Sequence, residues 1–162
     1  MRFLRHILVM PGRVRRAFPP HDLQAIEKAI AASEKRHAGE IRFAVEAALE
    51  ASALLRGQPA RSRALEVFSD LRVWDTEANN GVLIYLLLAD RDVEIVADRG
   101  IDHRVGAAGW EAICREMERH FAAGRFREGV LAGIARIEAH LARHFPRNAG
   151  DADELPNAPA TL

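Results

Sequence analysis

The chain has 162 residues and a mass of 18.0 kDa, with 49% hydrophobic and 28% charged residues. That is the size and composition of one globular domain, and it excludes disorder throughout. Lys plus Arg and Asp plus Glu number 23 each, so there is no basic excess for gripping nucleic acid, and the single cysteine, Cys114, excludes an intramolecular disulfide framework and fits a reducing compartment.

Residues 1–20 form a basic and apolar segment ahead of the domain. Arginines interrupt it, and its longest unbroken apolar piece, Ile7 to Met10, falls far short of the ~20 residues that span a bilayer and of the roughly 7–15 in a signal-peptide core. No later stretch qualifies, so the expected location is cytoplasmic. Phe3, Leu4, Ile7 and Leu8 sit among Arg2, Arg5, Arg13, Arg15 and Arg16. This pattern suits first a helix docked on the domain, and as the alternative an anionic membrane surface.

Residues 21–146 carry the domain. After Pro19-Pro20, Leu23, Ile26 and Ile30 recur at helical spacing, with Gly39 as the stop. Ile41, Phe43 and Val45 alternate with Glu40, Arg42 and Glu46, the period-2 pattern of a half-buried strand. Gly57 to Pro59 break the chain before a helix over Arg61 to Leu71, with Ala64, Leu65, Phe68 and Leu71 as its apolar stripe. Val82 to Ala89 is apolar on both faces, as in a strand covered on both sides. The short turn Asp90-Arg91-Asp92 leads into a strand over Val93 to Asp98, so these two strands must form an antiparallel hairpin. Two long amphipathic helices follow, through Trp110, Ile113, Cys114, Met117 and Phe121 and through Phe126, Val130, Ile134, Ile137 and Leu141. Gly129 and Gly133 on one face of the second suit a close helix approach, and Phe145-Pro146 ends it. Residues 147–162, with three acids, two prolines and little apolar content, read as a disordered acidic tail.

The strand–helix–strand portion implies a parallel pair with a right-handed crossover, beside the hairpin. The expected fold is α/β: a three-layer α/β/α sandwich with a Rossmann-like mixed sheet and helices on both faces. This topology puts Glu40, the Asn79-Asn80 loop and Asp98 at one edge of the sheet, and Glu46, Asp90 and Asp92 at the other.

Standard catalytic signatures are missing. There is no G-x-S-x-G and no phosphate-binding G-x-x-x-x-G-K. Cys114 lies on an apolar stripe and reads as a buried, inert thiol. His140 and His144 share a helix face but lack the glutamate of H-E-x-x-H. Asp75 to Gly81 begins like an EF-hand loop, with oxygens at alternate positions, and then fails: Gly81 comes one place late and Leu86 stands where the closing glutamate belongs. Asn80-Gly81 reads instead as a turn with an unusual backbone conformation. An oxygen-rich cation site remains, formed by Asp75, Asn79, Asn80 and Asp98, or at the opposite edge by Glu46, Asp90 and Asp92. Such oxygens suit weakly held Ca²⁺ or Mg²⁺.

Gly39-Glu40-Ile41-Arg42-Phe43, Val73-Trp74-Asp75-Thr76, Asn80-Gly81-Val82-Leu83-Ile84-Tyr85, Asp90-Arg91, Asp98-Arg99-Gly100-Ile101, Trp110, Gly129 and Phe145-Pro146 occur in an order that resembles the TPM-domain family, in its soluble cytoplasmic bacterial branch. The resemblance covers about Leu23 to Pro146. It implies an α/β/α sandwich, and a role as divalent-cation binder, as accessory factor for membrane complexes, or as acid phosphatase. Two functions follow. The first is a non-catalytic binding module with a weak cation site and a protein partner, a membrane-associated one among the candidates. The alternative is a metal-assisted phosphatase acting on phosphomonoesters, in which Asp90 or Asp98 holds the cation and Arg91 or Arg99 steadies the developing charge.

Overall fold

The apolar run after Asn80 builds the middle of a four-stranded sheet. In the computed structural model, which describes residues 2–9 and 12–162, this run is the strand Gly81–Leu87, with all seven residues buried. In chain order the strands are β1 (Glu40–Glu46), β2 (Gly81–Leu87), β3 (Asp92–Ala97) and β4 (Ala160–Thr161), and their spatial order is β3-β2-β1-β4. β1 runs parallel to β2, from Glu40 opposite Gly81 to Glu46 opposite Leu87. β3 is antiparallel to β2, and β4 lies parallel to β1 on its outer side. The parallel pair and the hairpin are those the sequence demands.

The period of two divides β2 between two cores. Val82, Ile84 and Leu86 join Ile41, Phe43 and Val45 of β1 beneath α3 (Pro20–Ser33), α6 (Arg99–Ala122) and α7 (Phe126–His144). Leu83, Tyr85 and Leu87 meet Ala44 and the helices α4 (Ala51–Leu55) and α5 (Ala60–Asp70) on the other face. The result is the expected three layers. Two short helices, α1 (Arg2–Ile7) and α2 (Arg13–Ala17), precede them. Gly129 and Gly133 do let α7 close on α6. A methyl group at either would lie 2.5 Å from the nearest atom of Phe121 or Met117, respectively.

Four features differ from expectation. The polar face of β1 is not in water: Glu40, Arg42 and Glu46 are buried along with every other residue of the strand. The cover comes from α4, α5 and the C-terminal segment. That segment, 147–162, lies against the domain. Leu155 and Ala160 pack on the second core, and the Leu162 N–H donates to the Val45 carbonyl at 2.9 Å. Polar anchors hold a stretch too poor in apolar residues to dock by burial alone. On α5 the buried stripe is Ala60, Ala64 and Val67, while Leu65 is half exposed. Finally, the left-handed residue before β2 is Asn79 (φ 51°), not Gly81. Gly81 is required for another reason: a β-carbon there would sit 2.0 Å from the Val73 carbonyl oxygen.

Candidate metal centre

Three carboxylates meet at the N-terminal end of β1. Glu34 closes α3, and the turn to Gly39 brings it beneath the start of the strand. Glu40 is the first residue of β1, and Asp153 comes from the C-terminal segment. One carboxylate oxygen from each lies within 4.8 Å of the other two.

Each acid is held in place by backbone. Glu34 Oε1 accepts the Ile41 N–H at 3.0 Å. Glu40 accepts two donors from the tail, the Glu154 N–H at 3.0 Å and the Leu155 N–H at 3.2 Å. Glu34 Oε2 is different: it is buried, and no donor among the described residues reaches it. Glu34 is 3% exposed and Glu40 is 1% exposed. A buried acceptor without a donor is costly, so this oxygen is open to a proton or a cation.

Electrostatics follow from that burial. Desolvation pushes the Glu34 carboxyl up to about 8; the Ile41 N–H opposes the rise, and Glu40 and Asp153 add to it. Burial lifts Glu40 to about 7 against the two tail amides, with Asp153 and Glu154 raising it further. Arg42 lies two residues along the same face of β1. Its guanidinium donates to the Pro156 carbonyl, and burial lowers its pKa while Glu34 opposes that fall. Arg42 and Arg147, the latter donating to the Glu34 carbonyl at 2.7 Å, thus stand against three acids, still short of positive charge.

The residues marked from sequence are distributed differently. Asn79, Asn80 and Asp98 do share the Glu40 edge: the Gly100 N–H donates to Asn79 O, and Asp98 N–H to Gly81 O, both at 2.9 Å. Asn80 is fully buried and donates from its side chain to Ala38 O. Asp98 caps α6, accepting the Arg99 N–H at 2.7 Å. Asp75 pairs with Arg72 at 2.9 Å.

At the opposite edge the acids are separated by their partners. Glu46 accepts from Tyr85 Oη at 2.6 Å and from Arg63 Nε at 3.0 Å. The Glu46 bond raises the Arg63 pKa; burial and then Glu46 raise that of Tyr85. Asp90 accepts from Arg2 Nε at 2.8 Å, and His6 Nε2 lies 3.1 Å from its other oxygen. Burial would raise the Asp90 carboxyl, but Arg2 and His6 outweigh it and hold it below the usual range. Asp92 lines a separate cavity of about 510 Å³ between β3 and α6, with Glu94, Cys114 and Glu118. Burial and the neighbouring acids lift Asp92 to about 6. Burial also pushes the Cys114 thiol up to about 12, in keeping with an inert side chain. Asp90-Arg91 and Asp98-Arg99 occupy opposite ends of the β2–β3 hairpin and cannot share one centre.

Glu34 and Asp153 were not singled out from sequence. The only signal was the spacing of Glu34 and Glu40 around a turn, which does not show that a distant tail returns to the same place.

An α/β/α sandwich whose mixed sheet carries buried acids at one edge defines a class of protein, and comparison with known proteins gives it a family. The TPM domain description matches residues 15–140. The chain belongs to the TPM-domain family. Among solved structures it is similar to the BA42 protein of the psychrophilic bacterium Bizionia argentinensis, with 32% identity and a TM-score of 0.79 over 90% of this chain and 95% of that one. It also shares its fold with the N-terminal domain of a P. gingivalis protein, at 19% identity and a TM-score of 0.63, over 81% of this chain and 82% of that one. No curated protein matches. Among the described residues, no helix is long and apolar enough to cross a membrane.

Proposed function

We propose that this chain is a non-catalytic accessory module that holds one divalent cation, Ca²⁺ before Mg²⁺, at Glu34, Glu40 and Asp153. The observation that carries this reading is the convergence of the three acids on a buried Glu34 oxygen that no donor among the described residues reaches. Calcium takes 6–8 oxygen ligands in loose geometry. Three carboxylates supply only part of that set, so water completes the shell and binding is weak. Arg42 weakens it further. The cation would relieve repulsion among the acids and fasten the tail over β1, because Asp153 adjoins the two amides that Glu40 already holds. The phosphatase reading has less behind it. Asp90 is engaged by Arg2 and His6, and Asp98 caps a helix, so both carboxylates are already engaged.

The test is calcium titration at low ionic strength, followed by thermal unfolding and by the amide signals of Glu154 and Leu155. Millimolar Ca²⁺ should stabilise the fold by roughly 1–3 kcal/mol and shift both amides. Glu34→Gln should abolish the response, and Asp90→Ala should preserve it. A midpoint unmoved by either Ca²⁺ or Mg²⁺ would remove the cation from the proposal.

A further inference from the structure

The first 20 residues hold five arginines and no acid, in a chain whose total charge is zero. The remainder is therefore acidic by the same amount, and the positive charge is gathered at one place.

The α1 helix within this segment is docked the wrong way round. A surface helix ordinarily turns its apolar stripe to the core and its charges to water. In α1 the inward positions are Arg2 and His6, one turn apart. Arg2 donates to Asp90 and, at 2.8 Å, to the Gln58 carbonyl. His6, buried, accepts the Leu49 N–H at 3.0 Å. The neighbouring positions Phe3, Leu4, Ile7 and Leu8 then fall together on the outward side. They are 41%, 58%, 55% and 72% exposed. The polar contacts fix the helix on the domain, so this row is held outward and is not free to fold back.

Basic groups flank the row. Arg5, Arg13 and Arg91 surround a shallow cavity beside Asp90. Arg13 is steadied by donating to the Leu88 carbonyl at 2.9 Å. Asp90 already has Arg2 and His6 as partners, so it leaves the arginines around it with charge to spare.

We propose that the outward face of α1 docks this protein on an anionic lipid bilayer, with Phe3, Leu4, Ile7 and Leu8 entering the headgroup region and Arg5, Arg13 and Arg91 receiving lipid phosphate. The occupant follows from complementarity: a contiguous apolar row flanked by Arg5, Arg13 and Arg91, with Asp90 beside them already paired to Arg2, matches the boundary between acyl chains and anionic headgroups. A six-residue helix buries little, so binding is reversible and screened by salt. This inference does not depend on the cation centre, which lies at the other end of β1.

The test is flotation of the full chain with phosphatidylcholine vesicles, with and without about 30% phosphatidylglycerol. Protein should float with the anionic vesicles, and about 0.5 M salt should release it. The double variant Leu4→Glu/Leu8→Glu should lower the bound fraction on the order of tenfold. Arg5→Glu/Arg91→Glu, at two of the arginines proposed to receive phosphate, should remove the preference for anionic lipid. Leu65→Glu, at a comparably exposed leucine on α5, should change nothing. All these side chains are exposed, so unchanged thermal midpoints show that loss of binding is not loss of fold. Equal flotation with neutral and anionic vesicles overturns the proposal, as does undiminished binding by Leu4→Glu/Leu8→Glu. A self-association lost in that same variant, without vesicle binding, would also overturn it and assign the face to protein contact.

Discussion

The two ends of β1 place the same residue type on the same strand face under similar burial, with opposite consequences. Glu46 meets a guanidinium and a phenol, so its burial is compensated. Glu40 meets backbone amides, a second buried glutamate and an aspartate, so negative charge accumulates around it. The contrast shows that a buried acid is not in itself a site. What makes one is an electrostatic deficit left by the neighbours, together with an oxygen that has no donor.

Breaking the compensated end should have the largest effect. Arg63→Ala leaves Glu46 buried with Tyr85 as its remaining partner, and should cost about 3 kcal/mol in denaturant unfolding, at the low end for buried pairs because Arg63 is partly solvated. Loss of much less than this would make the Glu46 end no better compensated than the other.

Gly81→Val attacks the register at the uncompensated end, where Gly81 stands opposite Glu40. The Val73 carbonyl leaves no room for the side chain, and a loss of about 3 kcal/mol is expected in the same measurement. A parent-like midpoint would show that the β2 start can move away from Val73.

Truncation before Asp153 removes one acid of the centre, both amides on Glu40 and the cover over Ala44. The expected loss is about 2 kcal/mol, since exposed partners regain water as they lose protein contacts. The calcium response should vanish with it. Composition alone points the other way, to a dispensable tail, so unchanged stability on truncation would restore that expectation.

The smallest effect has the most informative sign. Unfolded glutamate titrates near 4.5, and folded Glu34 near 8. Between these values the native state holds the extra proton, so stability falls as pH rises. His37, buried beside Ser33 Oγ and pushed down to about 4, gives a slope of the opposite sign, confined to the interval between 4 and 6.5. From pH 6.5 to 8 the decline therefore belongs to Glu34 and, in its lower half, to Glu40. The charged groups facing Glu34 are Glu40, Asp153 and Arg42, with Arg147 bonded to its backbone carbonyl. Glu34→Gln should flatten this decline and raise stability at pH 8 by about 1 kcal/mol, whereas Glu46→Gln should lower it. Circular-dichroism melts across the interval distinguish the two signs.

How much of this was legible beforehand varies with the range of the interaction. The alternation in β1, the two-sided apolarity of β2, the short turn before β3 and the amphipathic stripes of α6 and α7 are local patterns, and they determined these three strands, the hairpin, the parallel pair and the layered fold, but not β4. Local chemistry also marked the Glu40 edge as rich in oxygens. It could not place Glu34 and Asp153 together, because residues 119 positions apart in sequence meet only when α3 and the C-terminal segment converge on one strand end. Nor could it distinguish Glu40 from Glu46: both alternate with apolar residues in the same way, and only the packing of α5 decided that Arg63 would reach one of them. The inverted docking of α1 has the same origin. Its amphipathic pattern is written in the chain, but the direction it faces was decided by Asp90, Gln58 and Leu49, which bind its polar side and leave the apolar side outward.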